Sequence, residues 1–190
     1  MTDRSEEVLI ELCQKGDLVN FASLYDFYIK KIYDFIYFKT HHKQTAEDLT
    51  ASTFLKALEN IKKYDTRKGK FSSWLYRIAR NSVIDHYRTQ KHTSNIEDAW
   101  DLSSGDDVAS SADFKESIEK VKSSLNKLNA EQRDIVILRT WSELSYGEIS
   151  QIVGKSEANC KVIFSRAISK LKDQEILTIL ILLSLIKLFN

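Results

Sequence analysis

A chain of 190 residues has room for one or two small domains, and its 43% hydrophobic and 29% charged residues are those of a soluble globular protein. With no proline and five glycines it carries too little turn punctuation for a β-rich or α/β fold and leaves long stretches free to be helical. The net charge of +1 hides a segregation, +7 between Ile61 and Lys91 and −7 between Ile96 and Glu119, which suggests a polyanion-binding surface beside a solvated connector.

The first seven residues are polar and acidic, so no signal peptide is expected. Ser5 to Gly16 reads as a short amphipathic helix with Val8, Leu9, Leu12 and Cys13 on one side. From Val19 to about Lys39, Phe21, Leu24, Tyr25, Tyr28, Ile32, Phe35 and Ile36 recur at helical spacing. After a break at His41–Gln44, Thr45 is expected to cap a helix running to Tyr64, with Glu47 and Asp48 in its first turn and Leu49, Phe54, Leu55, Leu58 and Ile61 as its apolar stripe. A cationic loop, Asp65–Lys70, leads into a helix from Phe71 to about Gln90.

Residues from about His92 to Ser111 lose the periodicity and become rich in Ser, Asp and Gly, and are expected to be a disordered linker. Helical signal resumes near Asp113, with short helices over Ser117–Leu128, Ala130–Thr140, Tyr146–Val153 and Glu157–Lys172. The expected fold is therefore all-α: two small helical domains, residues 1–91 and 113–173, joined by an acidic flexible linker over 92–112. An apolar tail follows over 174–190. Its run from Ile176 to Phe189 would rise roughly 21 Å as a helix, short of the ~30 Å hydrocarbon core of a bilayer. That tail is expected to pack on the protein or on a partner. Cys13 and Cys160 sit at core-like positions without metal-ligand spacing, which fits a reduced cytoplasmic setting.

Two stretches carry functional information. Ser145-Tyr-Gly-Glu148 has the form of a capping box, Gly154 permits a tight turn, and Ser156 can cap the helix that follows. That helix presents Glu157, Lys161, Ser165 and Arg166 opposite an apolar stripe of Cys160, Phe164, Ala167, Ile168 and Leu171. A short helix, a Gly turn and a second helix with a basic outer face form the helix-turn-helix that reads the DNA major groove. In the other stretch, Phe71 to Arg88, Trp74, Leu75 and Ile78 repeat as a core stripe. Arg77, Arg80, Asn81 and Arg88 lie on other faces, where they could follow a phosphate backbone, with Tyr76 interleaved as aromatic surface. Arg67, Lys68 and Lys70 give the preceding loop the charge to close around a base or phosphate.

Together Ala46–Leu58 and Phe71–Arg88 resemble the promoter-melting domain of bacterial sigma factors of the extracytoplasmic-function type. Leu125–Leu128, Gln132–Arg139, Leu144–Ser150 and Cys160–Ala167 resemble that family's domain for the −35 element. The resemblance implies binding to core RNA polymerase, through the β′ coiled coil and the β flap, and to promoter DNA. Glu47, Asp48, Leu49, Thr53, Phe54 and Lys56 would dock on the polymerase, although Ala51 and Ser52 stand where relatives often carry Gln and an acid. The loop at 65–70 and the helix from Phe71 would capture a flipped base of the −10 element. Ser156, Glu157, Asn159, Lys161, Val162, Ser165 and Arg166 would face the −35 element. An anti-sigma factor is a further partner the resemblance allows.

No nucleophile–base pair or Gly-rich phosphate loop is visible, and His41-His42 lacks the residues to complete a metal site, so no enzyme activity, small-molecule substrate, metal or cofactor is expected. A regulator using the helix-turn-helix alone, without acting as a sigma subunit, leaves the block at 71–88 unexplained. An adaptor that binds through helical faces would account for the apolar tail.

Overall fold

The computed structural model describes residues 3–90, 121 and 123–171, and all regular structure among them is helical. The acidic stretch and the tail Ile176–Phe189 lie outside the described residues. The chain divides into two compact units, Met1–Gly105 and Asp106–Asn190.

The first unit holds α1 (Asp3–Gln14), α2 (Phe21–Thr40), α3 (Lys43–Asn60) and α4 (Phe71–Gln90), with 3-10 turns at Leu18–Asn20, Ile61–Lys63 and Thr66–Lys68. Helix α2 packs on both α3 and α4, and α1 closes against α2 and the turn at Ile61–Lys63. The core is the expected stripe of α2 without Tyr25, which is 40% exposed: Phe21, Leu24, Tyr28, Ile32, Phe35 and Ile36 meet Phe54 and Ala57 of α3 and Phe71, Leu75 and Ala79 of α4. Each large apolar side chain among them contributes roughly 1.5–3 kcal/mol by leaving water. Tyr64, Phe71 and Trp74 meet one another, and Tyr28 meets Phe71, with ring centroids 5.2–5.7 Å apart in these pairs, at about 0.5–1.5 kcal/mol per pair.

Several local expectations are corrected. Ile10 and Cys13 fill the core beneath α1, whereas Val8 is 53% exposed. Helix α3 is capped by His42, not Thr45: the ring Nδ1 accepts from the Thr45 backbone N–H at 3.2 Å. Capping one turn earlier than Thr45 removes Glu47 and Asp48 from the first turn, which holds no acid, so the helix dipole no longer accounts for them. The chain reverses between α2 and α3 through His41 in the left-handed region (φ 51°), its N–H donating to the Tyr37 carbonyl. Both cysteines are buried and unbonded.

The second unit holds α5 (Ala130–Thr140), α6 (Tyr146–Val153) and α7 (Glu157–Lys170), preceded by helical backbone at 123–126. Asn129–Gln132 and Ser145–Glu148 both form reciprocal capping boxes, and the Ser156 hydroxyl accepts from the Asn159 N–H. Gly154 ends α6 at φ 73°, a conformation that would strain any side chain there. Ile135, Val136, Ile137, Leu138, Ile149, Ile152, Cys160, Ala167 and Leu171 make the core. Within it Arg133 is 5% exposed and donates through Nε to the Leu125 carbonyl (3.0 Å) and through Nη2 to that of Leu128 (3.1 Å). It thereby gives the Leu128 carbonyl a donor and adds a second to the Leu125 carbonyl, which also accepts from the Leu128 N–H at 3.1 Å.

Candidate polymerase-docking and DNA-binding surfaces

At 100° per residue, Asp48, Ser52, Leu55 and Glu59 fall on one side of α3 and Thr53 and Phe54 well away from it. The burial follows. Asp48, Leu55 and Glu59 are exposed, Ser52 is half-buried, and Ala51 beside them is exposed. Thr53 is fully buried and Phe54 is 4% exposed, packed edge-on against Phe21 and Tyr25. The expected docking set is corrected accordingly: Thr53 and Phe54 are core residues and cannot meet a partner directly, and Leu49 is half-buried. Glu47, Asp48 and Lys56 are exposed, but the Lys56 Nζ donates to the Ser82 hydroxyl of α4 at 3.0 Å. Leu55, expected to point inward, is 57% exposed in the middle of the stripe and forms the apolar centre of this face. Its one-residue offset from Phe54 is the signal that separates them.

The loop before α4 is built on Tyr64. Its hydroxyl donates to the Gly69 carbonyl (2.8 Å) and closes the loop, and burial, with Glu6, Glu7 and Asp65 nearby, pushes its pKa up to about 12, so the proton is kept. Gly69 itself takes φ 146°. Asp65 accepts from the Arg67 N–H (3.1 Å), Nε (2.9 Å) and Nη2 (2.9 Å). These bonds from Arg67 hold the Asp65 pKa down at about 2. Arg67 and Lys68 project into solvent, as does Lys70, though a nucleic acid must share Arg67 with Asp65.

On α4, Arg77, Asn81 and Arg88 are exposed in one stripe with Ile84, and Arg80 flanks it half-buried. Arg88 also pairs with Asp85 at 3.4 Å. Tyr76 does not join them. It is 1% exposed and meets Phe35 edge-on at 5.3 Å, so its expected DNA contact is corrected to a core role. Its place on a different side of α4 from Arg88, roughly 120° round at 100° per residue, is the reason.

All seven residues expected to face the −35 element are exposed. Ser156, Glu157 and Asn159 crown the N-terminus of α7, and Lys161, Val162, Ser165 and Arg166 run down its outer face. Val162, 45% exposed, is an apolar surface of the kind that meets a thymine methyl. Lys161 is pre-oriented. Its Nζ lies 2.8 Å from a Glu157 carboxylate oxygen and 5.7 Å from the centre of the Tyr146 ring. Arg139 approaches the same ring at 5.0 Å, placing beside the helix-turn-helix a cation that helical spacing on α7 alone does not reveal.

Among the described residues no group of three His, Cys, Asp or Glu could hold a metal ion, and no helix is long and apolar enough to cross a membrane. Residues 24–93 match the family model for sigma-70 region 2, and residues 118–171 that for sigma-70 region 4. The extracytoplasmic-function RNA polymerase sigma factor BldN of Streptomyces coelicolor is 35% identical over 170 residues, 86% of this chain and 63% of that protein's own length. SigM of Bacillus subtilis, of the same type, is 34% identical over 150 residues, 78% of this chain and 91% of that protein. The sigma factor RpoE of Bartonella quintana, solved with the anti-sigma factor NepR, superposes with a TM-score of 0.65 at 25% identity, covering 84% of this chain and 97% of that one. With both regions present in this order, the chain belongs to the extracytoplasmic-function RNA polymerase sigma factors, the non-enzymatic subunits that direct the polymerase to promoters.

Proposed function

We propose a division of labour in which residues 1–91 dock on core polymerase and hold the −10 element, and residues 113–173 read the −35 element. The acidic stretch 92–112 connects them, and the tail 174–190 packs on the protein or a partner. The docking face is the α3 stripe of Asp48, Ser52 and Leu55 with Glu47 and Ala51 beside it, set against the β′ coiled coil. An exposed leucine ringed by acids suits a partner helix that is apolar at its centre and basic at its rim. The β flap would take the second unit.

The −10 strand would run along Arg77, Asn81 and Arg88, flanked by Arg80, with Arg67, Lys68 and Lys70 closing over a flipped base. Flipping costs a few kcal/mol, which the loop must return through stacking and hydrogen bonds. The observation that carries this reading is the coincidence of two exposed basic faces, on α4 and α7, in two separately closed units. An anti-sigma factor is proposed as a further partner, supported by the complex of RpoE with NepR, and a cytoplasmic setting follows from the polymerase.

The docking assignment has a direct test. A fragment ending near Lys91 should retain purified core polymerase in a pull-down. Asp48→Arg with Leu55→Ala should lower its affinity by about a hundredfold, the loss of roughly 3 kcal/mol expected when an interface loses its central anchor and gains a wrong charge. A folded fragment that fails to bind, or a double variant that binds as the native one does, refutes the α3 face.

A further inference from the structure

Helix α1 lies outside the residues that match sigma-70 region 2, and none of its residues has a named role in the proposed division of labour. Its last residue, Gln14, reaches 47 and 50 positions along the chain: Nε2 donates to the Ile61 carbonyl at 3.0 Å and to the Tyr64 carbonyl at 2.7 Å. Two acceptors meet one amide nitrogen, so both of its hydrogens are used. These carbonyls flank the 3-10 turn that ends α3, immediately before the loop 65–70. The next link is Tyr64 itself. Its ring packs on Phe71 and Trp74 at the start of α4, and its hydroxyl closes the loop at Gly69. The other end of α1 is tied to the same cluster, since Tyr28, whose ring meets Phe71, donates its hydroxyl to Glu6 at 2.5 Å.

We infer that Gln14 is a positioning residue for the −10 loop: through the Tyr64 backbone it fixes where Arg67, Lys68 and Lys70 stand over a captured base. The inference rests on the proposed −10 role of that loop. Loop cations close on a base productively only if the loop is held before the strand arrives. A loop with free ends would spend part of its binding free energy on ordering itself. The hydrogen bonds of Gln14 go to the turn after α3, not to the polymerase face of α3 or the DNA stripe of α4, so its effect should be confined to the loop.

Gln14→Glu keeps the shape and reverses the hydrogen bonding, setting acceptor against acceptor at both carbonyls. Tyr64→Phe keeps the ring packing and removes only the closure at Gly69. Both are made in the full-length chain, with a thermal melt to establish folding. The probe is single-stranded DNA selected by the native protein from a randomised window. Gln14→Glu should speed amide exchange over residues 65–70 and cut discrimination between the selected and a mismatched base by about tenfold, the scale of one or two missing hydrogen bonds. Affinity for core polymerase should stay within about twofold, and Tyr64→Phe should act in the same direction more weakly. Unchanged exchange in the loop overturns the tie itself. Faster exchange with undiminished discrimination, while Lys68→Ala and Lys70→Ala weaken strand binding, overturns the positioning role. If those two lysine variants leave strand binding untouched, the −10 reading of the loop falls and the role falls with it.

Discussion

Replacing Lys161 and Arg166 together by alanine should lower initiation at promoters that depend on the −35 element by about a hundredfold, each side chain being worth ~1–3 kcal/mol against DNA. Both lie on the exposed face of α7, and neither belongs to the core formed by Cys160, Ala167 and Leu171, so the fold should be unaffected. Arg77→Ala and Arg80→Ala should act differently. They would weaken complexes at all promoters and reduce the slope of the salt dependence by about one unit for each phosphate no longer neutralised. Initiation assays on promoters with and without a −35 element, repeated across a salt series, separate the two patterns. Equal, promoter-independent losses from both pairs would contradict the division between the units.

Arg133→Ala should destabilise the second unit by about 2–5 kcal/mol, enough to unfold much of it at 37 °C. The guanidinium is buried, and its Nε and Nη2 hold the carbonyls of Leu125 and Leu128. Truncation takes its donor from the Leu128 carbonyl, leaves the Leu125 carbonyl only the bond from the Leu128 N–H, and opens a cavity beside α5. The first unit has its own core, so core-polymerase docking should survive while −35-dependent initiation is lost. Thermal denaturation followed by circular dichroism should show an early transition for the second unit alone. A variant that melts as the native chain does would mean that Arg133 is dispensable to the core.

The helix-turn-helix is legible in the sequence almost residue by residue. The bounds of α5 and α6, the Ser145 box, the Gly154 turn and the Ser156 cap all follow from local chemistry that operates within four residues. The second capping box, Asn129 with Gln132, has the same signature and is readable in the same way. The first unit is legible in outline but not in its faces. The apolar stripe expected on α3 puts Leu55 inside with Phe54, while the family resemblance offers Thr53 and Phe54 to a partner. Small residues change that result, because Ala46, Thr50 and Ala57 let α3 approach α2 and α4 closely and turn the buried arc by about one position. Composition groups Tyr76 with the basic residues around it, whereas its phase on α4 turns it inward onto Phe35 of α2. Gln14 and Arg133 leave no sequence signal, because their partners are backbone carbonyls whose position depends on the finished packing.

Run-off transcription with purified core enzyme shows whether this chain confers promoter-specific initiation on RNA polymerase through two units. The template should be genomic fragments retained by the reconstituted holoenzyme. Discrete transcripts should form only when chain and core are both present, and the Lys161 and Arg166 variants should lose those from promoters that carry a −35 element. A chain that bound the same fragments without core, and left core initiating no more specifically than alone, would contradict that role.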